Sequence, residues 1–273
     1  MHAEALERLA VEFTEQDESN RVPAAKAFMP AYVGMRIYDA PIFGYAAASD
    51  PDFARLREIG IVGEHFMPPS EWLPEARSVI AFFLPFTRLV KESNQRDMDW
   101  PSDEWLHARI EGQGFLNTLA DHLRDALRAA GFGAVVPSSD PRFRTVSALA
   151  TDSSPATFTS NWSERHIAYV CGLGTFGLSK GLITRLGIAG RFGSLVTTLE
   201  LPPTPRAYAD PYEYCTKCGV CARNCPVDAI SVEGGKNHVP CKILLDRTRK
   251  PRPPYYGCGK CQVAVPCRDR IPA

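Results

Sequence analysis

The chain has 273 residues, of which 45% are hydrophobic, so it is long enough for one large packed domain with a small appended module. Its 31 basic and 31 acidic residues balance, which excludes a global charge that would recruit nucleic acid or an anionic membrane. The sequence has no apolar run of about 18 residues and no secretory signal, so we expect a cytoplasmic protein with no membrane partner.

The predicted elements of the first 201 residues are a mixture of helices and strands. The continuous apolar run at residues 78–86 predicts a buried strand in the middle of a sheet. Apolar residues recur at helical spacing from Glu104 to Ala130, and Gly131 offers a C-terminal stop. Shorter apolar segments predict further strands at 133–137, 166–170 and 193–201.

A glycine-rich stretch follows the third of these predicted strands. Gly172, Gly174 and Gly177 match the G-x-G-x-x-G spacing of dinucleotide-binding sites, which requires a strand before it and an unbroken helix after it. The next segment, 178–192, holds three more glycines, each costing about 1 kcal/mol in a helix interior. The sequence therefore favours an irregular segment over a nicotinamide site.

The chain changes character after residue 201. Residues 202–214 include four prolines and predict an extended linker. We therefore predict an α+β domain over 1–201 that holds a cofactor and substrate, and a second module over 202–273. Eight of the nine cysteines lie in this module, which indicates metal binding rather than disulfides.

The first cysteines of the module have the spacing of a bacterial ferredoxin. Cys215, Cys218, Cys221 and Cys225 form C-x2-C-x2-C-x3-C-P, which typically binds a [4Fe-4S] cluster, whereas zinc sites usually use two separated pairs. Four further cysteines suit a second cluster. In two-cluster ferredoxins the fourth cysteine of each run binds the other cluster. Carried over, that pattern assigns one cluster to Cys215, Cys218, Cys221 and Cys267, and the other to Cys225, Cys241, Cys258 and Cys261.

Two features depart from the ferredoxin pattern or lie outside it. Pro266 precedes its cysteine instead of following it, and 16 residues separate Cys241 from Cys258. Cys171, in an apolar stretch, is more typical of a small core residue than of a metal ligand. The basic segment 236–252 is more typical of a solvated surface than of a site for phosphate or an acidic electron donor.

Several segments occur in the order seen in epoxyqueuosine reductases, which are cobalamin-dependent iron–sulfur enzymes. These are EWLPEARSVIAFFLPF, SERHIAYVCGLGTFG and GRFGSLVTTLEL, followed by the two cysteine sets. Over residues 30–270 the chain resembles this family, and within it a short subgroup without the C-terminal helical repeats. The resemblance implies a nitroreductase-like, cobalamin-reductase-type α+β domain and a ferredoxin-like module with two [4Fe-4S] clusters. It also implies a corrinoid, with flavin as the alternative cofactor.

The resemblance also implies which residues surround the cofactor. They are Ser163, Glu164, Arg165, Gly172, Leu173, Gly174, Phe176, Gly177, Gly193 and Ser194. Asp152, His166 and Arg165 are the candidates for catalysis, with none preferred. In an ungapped alignment Phe158 stands where the family has its acidic residue. Asp152 would replace that acid only through an insertion, and its position before Ser153, Ser154 and Pro155 favours a helix cap over catalysis.

The expected function is that of an iron–sulfur reductase. Electrons from an external low-potential donor of the ferredoxin or flavodoxin type would pass through two clusters to a corrinoid, which reduces an organic substrate. One alternative is a ferredoxin-type electron carrier without catalysis of its own. Another is an epoxyqueuosine reductase acting on tRNA, which the missing acid and the missing C-terminal repeats do not favour.

Overall fold

The computed structural model describes residues 1–148 and 157–273 and confirms a mixed helix and sheet fold. The helices are Ala3–Gln16 (α1), Pro51–Arg55 (α2), Pro69–Trp72 (α3), Arg88–Ser93 (α4), Asp103–Ala129 (α5), Glu164–Val170 (α6), Val220–Arg223 (α7) and His238–Arg249 (α8). The strands are Ile42–Ala47 (β1), Ser78–Pro85 (β2), Ala134–Val135 (β3), Thr145–Ala148 (β4), Thr157–Ser160 (β5), Gly174–Phe176 (β6), Leu182–Thr184 (β7), Gly190–Thr197 (β8), Ile230–Ser231 (β9) and Gly235–Lys236 (β10).

An antiparallel sheet with the strand order β1-β2-β8-β3 forms the centre of the large domain. Ala81 of β2 lies opposite Gly44 of β1 on one side and Ser194 of β8 on the other. All eight residues of β2 are buried. The prediction of a central strand at 78–86 is therefore confirmed.

The two faces of the sheet contribute to two separate cores, because successive side chains of a strand point to opposite faces. Ile80, Phe82 and Leu84 belong to the core that includes α1 and α5. Val79, Ala81 and Phe83 belong to the core that includes α2 and α6. The sheet thus lies between two layers of helix.

The long predicted helix is confirmed as α5. Its buried apolar residues include Leu116, Leu119, Leu123 and Leu127, which recur every three or four positions along one face. At its start the Ser102 hydroxyl accepts a hydrogen bond from the backbone N–H of Trp105 at 3.2 Å. At its end Gly131 adopts a φ of 86°, which glycine accepts readily.

The strand predicted at 166–170 is wrong, because these residues belong to the short helix α6. Ile167, Ala168 and Val170 are buried against the sheet, and only a helix brings all three to one side over so short a stretch. Five apolar or polar residues are too few for their periodicity to separate a helix from a strand.

The segment after the glycine pattern forms strands rather than a crossover helix. β6 and β7 pair as an antiparallel hairpin, and β8 follows. β8 begins at Gly190 and ends at Thr197, so it is shifted toward the N terminus relative to the strand predicted at 193–201. The helix that a dinucleotide site requires does not follow these glycines in residues 178–192.

Residues 202–207 have no regular secondary structure, as the prolines predict, but they pack on the large domain. The backbone N–H of Thr204 donates to the carbonyl of Tyr45 at 2.9 Å, and Arg206 forms ion pairs with Asp50 and Asp52. The domain boundary at residue 202 stays a prediction. Within residues 1–148 and 157–273, no helix is both long and apolar enough to cross a membrane.

Candidate active site

Two cavities divide the eight cysteines of the module into two sets. The smaller cavity is lined by Cys215, Cys218, Cys221 and Cys267. The larger cavity, of about 530 Å³, is lined by Cys225, Cys241, Cys258 and Cys261. These are the two sets expected from the ferredoxin pattern, although their assignment as cluster ligands stays a prediction. Among the described residues, no three His, Cys, Asp or Glu side chains converge on a single-ion site.

Burial raises the pKa of thiols in both sets. It raises the pKa of Cys221 and of Cys258 to about 11, and that of Cys267 to about 12. A thiol must lose its proton to bind iron, so assembly of a cluster here would release protons.

The loop that carries Cys258 and Cys261 is fastened to the large domain. Gly259 has a φ of 72°, and a Cβ atom on it would lie 2.0 Å from Cζ2 of Trp105 on α5. The fully buried Lys260 donates its Nζ protons to the carbonyl and the Oδ1 atom of Asn94, at 2.7 and 2.8 Å. Asn94 in turn donates from Nδ2 to the carbonyl of Cys258 at 2.8 Å. Both parts of the chain therefore shape the larger cavity.

Glu164, the first residue of α6, brings a buried carboxyl to this cavity. Its Oε2 atom accepts a hydrogen bond from the Ser194 hydroxyl at 2.6 Å, and that hydroxyl accepts one from Nε1 of Trp162 at 2.8 Å. Its Oε1 atom is shielded from solvent and has no hydrogen-bond partner within the described chain. Burial raises the pKa of Glu164 to about 8, so the group holds a proton at neutral pH.

The neighbouring Arg165 also lines the cavity but does not pair with Glu164. Its Nη1 atom donates to the carbonyl of Lys180 at 3.0 Å. It shares the cavity wall with Cys241 and Cys261 of the second cysteine set. The adjacent charges of Glu164 and Arg165 suggest an ion pair between them, but no such pair occurs among the described ion pairs.

His166, another predicted catalytic candidate, does not line this cavity. Its Nδ1 atom and the Ser163 hydroxyl share a hydrogen bond of 2.8 Å, and its ring lies 4.8 Å from that of Phe176. Burial lowers the pKa of His166 to about 4, so its ring is neutral at neutral pH. Asp152, the remaining candidate, lies outside the described residues.

Packing of the protein against itself requires glycine at two of the three positions of the glycine pattern. A Cβ atom on Gly172 would lie 3.0 Å from Thr204, and one on Gly174 would lie 1.9 Å from the carbonyl oxygen of Ile183. A Cβ atom on Gly193 would lie 2.4 Å from the ring of Phe82. These glycines do not line the larger cavity, and neither do Leu173 and Phe176, while Gly177 lines the smaller one. The packing contacts account for these residues without a cofactor, and their role in binding one stays a prediction.

Cys171 is fully buried and hydrogen-bonded through its sulfur to the carbonyl of Val79, at 3.7 Å. Burial raises the pKa of its thiol well above the usual value. It lies in the core, as the sequence favours, and lines neither cavity.

Several polar residues of the cavity wall are absent from the sequence-based list. Arg109 and Gln113 follow one another at four-residue spacing along α5, and Arg191 extends from β8. Nη2 of Arg109 donates to the Tyr256 hydroxyl at 2.6 Å, and Nη2 of Arg191 donates to Oε1 of Gln113 at 2.5 Å. The sequence does indicate the α5 residues. Arg109 and Gln113 precede Leu116 at helical spacing, so these polar side chains share the helix face that packs inward.

Comparison with known proteins shows that the chain contains an iron–sulfur domain and shares its fold with solved structures. A family model described as a 4Fe-4S binding domain matches residues 211–231. No curated protein matches the chain. Among solved structures, the epoxyqueuosine reductase from Streptococcus thermophilus is 17% identical with a TM-score of 0.50, over 84% of this chain and 63% of that one. The chain shares its fold with this reductase.

Two further structures agree. An epoxyqueuosine reductase solved with an epoxyqueuosine-modified tRNA-Tyr stem loop is 20% identical with a TM-score of 0.50, over 83% of this chain and 61% of that one. The catabolic reductive dehalogenase NpRdhA is 16% identical with a TM-score of 0.52, over 99% of this chain and 36% of that one. The chain spans less than two thirds of the length of the epoxyqueuosine reductases it matches. The predicted resemblance is confirmed at the level of fold.

Proposed function

We propose that the chain is an iron–sulfur reductase in which two [4Fe-4S] clusters pass electrons to a corrinoid, which reduces an organic substrate in the larger cavity. One observation carries the proposal: four cysteines of the second set and a buried, protonated carboxyl line the same cavity. An electron source and a proton source on one wall are what a two-electron reduction requires.

Electrons would enter at the first cysteine set, where Cys218 is exposed. An external donor of the ferredoxin or flavodoxin type would dock at that surface. The two sets are neighbours, because Ile188 lines both cavities. Single electrons would therefore pass from the outer cluster to the inner one, which lies at the larger cavity.

The cavity suits a bound redox cofactor. Its volume of about 530 Å³ lies in the range of ligand-binding sites, and aromatic rings such as those of Trp105 and Phe192 stand beside polar donors on its wall. The unpartnered Oε1 atom of Glu164 is a buried polar group that a ligand would satisfy. A corrinoid bound here would supply a strongly reducing, nucleophilic metal centre, in a domain that we take to be nitroreductase-like.

Glu164 is the proposed proton donor. Ser194 holds its Oε2 atom, which leaves Oε1 as the free oxygen of the carboxyl. In each turnover two electrons from the external donor and one proton from Glu164 would replace a leaving group of the substrate, which departs with the electron pair of the broken bond, and Glu164 would then regain a proton from solvent. The raised pKa suits this role, because a general acid must be protonated at the working pH.

A pure electron carrier would need neither the cavity nor the buried acid. Such a protein is expected to have a solid interior behind its clusters, with no room for a large cofactor. The larger cavity extends beyond its four cysteines to Arg109, Gln113 and Phe192 of the large domain, and this extension supports the reductase over the carrier.

Anaerobic purification with metal and cofactor analysis tests the proposal. We expect about eight irons per chain from two four-iron clusters, and uptake of hydroxocobalamin measured by its absorbance after gel filtration. Cys258→Ser should lose iron and corrinoid, whereas Cys171→Ala, a cysteine outside both sets, should keep both.

Other results would contradict parts of the proposal. Two clusters without corrinoid uptake would refute the corrinoid, and bound flavin in the same sample would identify the alternative cofactor. Equal iron in the Cys258→Ser protein and the unaltered protein would refute the ligand assignment.

A further inference from the structure

The wall of the larger cavity carries many more cations than anions. Arg109, Arg165, Arg191, Lys236 and Lys260 line it, and among the described residues Glu164 is the only carboxyl that does. That carboxyl holds a proton at neutral pH because burial raises its pKa. The cavity is therefore strongly positive before any cofactor or substrate enters.

None of the three arginines has an acidic partner in the described part of the chain. Each donates one side-chain hydrogen bond to a neutral oxygen instead: Arg109 to the Tyr256 hydroxyl, Arg165 to the Lys180 carbonyl and Arg191 to the Gln113 amide. A guanidinium has five N–H donors in a planar fork, so each keeps donors for a ligand. A buried cation without an anion is costly unless something else supplies the charge.

The cations fall into two groups by what surrounds them. Arg165, Lys236 and Lys260 lie near the second cysteine set, since each interacts with the charge of a cysteine in that set. Cluster thiolates would offset their charge. Arg109 and Arg191 are neighbours, because Arg191 donates to Gln113, which lies one turn of α5 after Arg109. After burial, the charge of Arg109 is the next cause that lowers the pKa of Arg191, to about 10, and the charge of Arg165 adds to it.

Arg109 and Arg191 are close enough to repel each other and have no acidic partner in the described part of the chain, so together they form a site for an anion. The wall beside them is apolar and aromatic, with Phe86, Trp105, Leu116 and Phe192. Two guanidinium forks suit the planar oxygens of a carboxylate, which binds both through paired hydrogen bonds.

We propose that Arg109 and Arg191 bind the carboxylate of a small substrate whose remaining body is apolar. This inference rests on the proposed function, in which the larger cavity is where the substrate is reduced. It adds the chemical class of the substrate: an organic acid rather than a neutral molecule.

Titration calorimetry with cluster-loaded protein under anaerobic conditions tests the inference. The probes are benzoate, its neutral analogue benzamide, and inorganic phosphate. We expect benzoate to bind more tightly than benzamide or phosphate. Arg109→Gln and Arg191→Gln should each weaken benzoate roughly 10- to 100-fold, the usual effect of losing a charge-assisted hydrogen bond. They should leave benzamide unchanged. The control is Arg8→Gln, an exposed arginine of α1, which should change nothing.

Several outcomes would overturn the inference. They are no benzoate binding to the unaltered protein, equal binding of benzoate and benzamide, or an equal loss in the Arg8→Gln variant. Tighter binding of phosphate with the same arginine dependence would replace the carboxylate with a phosphorylated ligand. Cluster absorbance and circular dichroism establish that each variant folds, and Arg191→Lys, which keeps the charge but not the fork, should bind benzoate with intermediate affinity.

The same measurements separate this inference from the proposed function. Benzoate binding that depends on both arginines, in a protein that reduces no substrate, would leave the anion site standing and refute the reductase. Reduction of neutral substrates alone, with no benzoate site, would do the reverse.

Discussion

Replacing Glu164 with glutamine removes a titrating group but keeps its shape. The glutamine carbonyl can still accept the hydrogen bond from Ser194, while the second position of the amide becomes a donor that cannot ionise. At neutral pH the amide therefore resembles the protonated acid. The difference between the two proteins should appear only where the acid loses its proton.

The size of that difference follows from the pKa. The ordinary value is 4.5, and burial raises it to about 8 in the folded protein. Between these two values the folded state binds a proton that the unfolded state has lost, so the stability of the unaltered protein falls as pH rises. At 1.36 kcal/mol per pKa unit the loss reaches about 5 kcal/mol above pH 8. The E164Q protein lacks this loss.

Two measurements check the reasoning. Infrared spectra recorded from pH 5 to 10 should contain a protonated-carboxyl band that disappears with a midpoint near 8 and is absent from E164Q. The melting temperature of the unaltered protein should fall relative to that of E164Q over the same range. Glu233→Gln, at an exposed site beside the β9–β10 hairpin, is the control and should follow the unaltered protein. A midpoint below pH 5, or parallel melting profiles, would refute the buried acid.

The same substitution tests the proposed chemistry. Loss of a general acid typically lowers the rate 10²- to 10⁴-fold, so E164Q should bind substrate but reduce it slowly at every pH. The unaltered protein should lose activity as pH rises through about 8. Because the Ser194 hydrogen bond lowers the pKa of this carboxyl, Ser194→Ala should move that midpoint upward. A rate in E164Q equal to that of the unaltered protein would exclude Glu164 as the donor.

The remaining predictions concern the loop of the second cysteine set. Gly259→Ala forces a Cβ atom onto the ring of Trp105 at a φ of 72°, so iron content should fall toward half. The control is Gly114→Ala, in an open site on α5, which should raise stability by about 1 kcal/mol. Asn94→Ala removes the Oδ1 acceptor of the buried Lys260 and the Nδ2 donor to the Cys258 carbonyl, while the backbone acceptor stays. We expect a loss of about 2 to 3 kcal/mol in stability together with part of the iron. Iron analysis and denaturant titration check both, and full iron in either variant would contradict this account of the loop.

The parts of the fold that could be predicted are those with a long, uniform pattern. Residues 78–86 are apolar without interruption, which indicates a buried strand. Helix α5 repeats its apolar positions over seven turns, which indicates only a helix. The cysteine sets could be predicted for a different reason, because the spacing of the ligands is itself the binding geometry.

The parts that the sequence does not predict are short segments and contacts between distant residues. Residues 166–170 are too few to show a period, and what makes them helical is the sheet on which Ile167 and Val170 pack. The need for glycine in the pattern also comes from a contact outside it. Gly174 is required because the carbonyl of Ile183 lies against it, and nothing near residue 174 in the sequence indicates that contact.

The site itself combines residues that no local pattern connects. Glu164 begins a short helix, Arg191 lies in a strand, Arg109 lies on α5, and the cysteines come from the C-terminal module. A sequence can indicate each element, but the cavity depends on how the module is fastened to the large domain. Gly259 packs against Trp105, and Lys260 donates two hydrogen bonds to Asn94. Any change that separates the module from the large domain would therefore open the cavity. Electron delivery and the low-dielectric environment that keeps Glu164 protonated would then be lost together, which is why both should depend on the same few contacts.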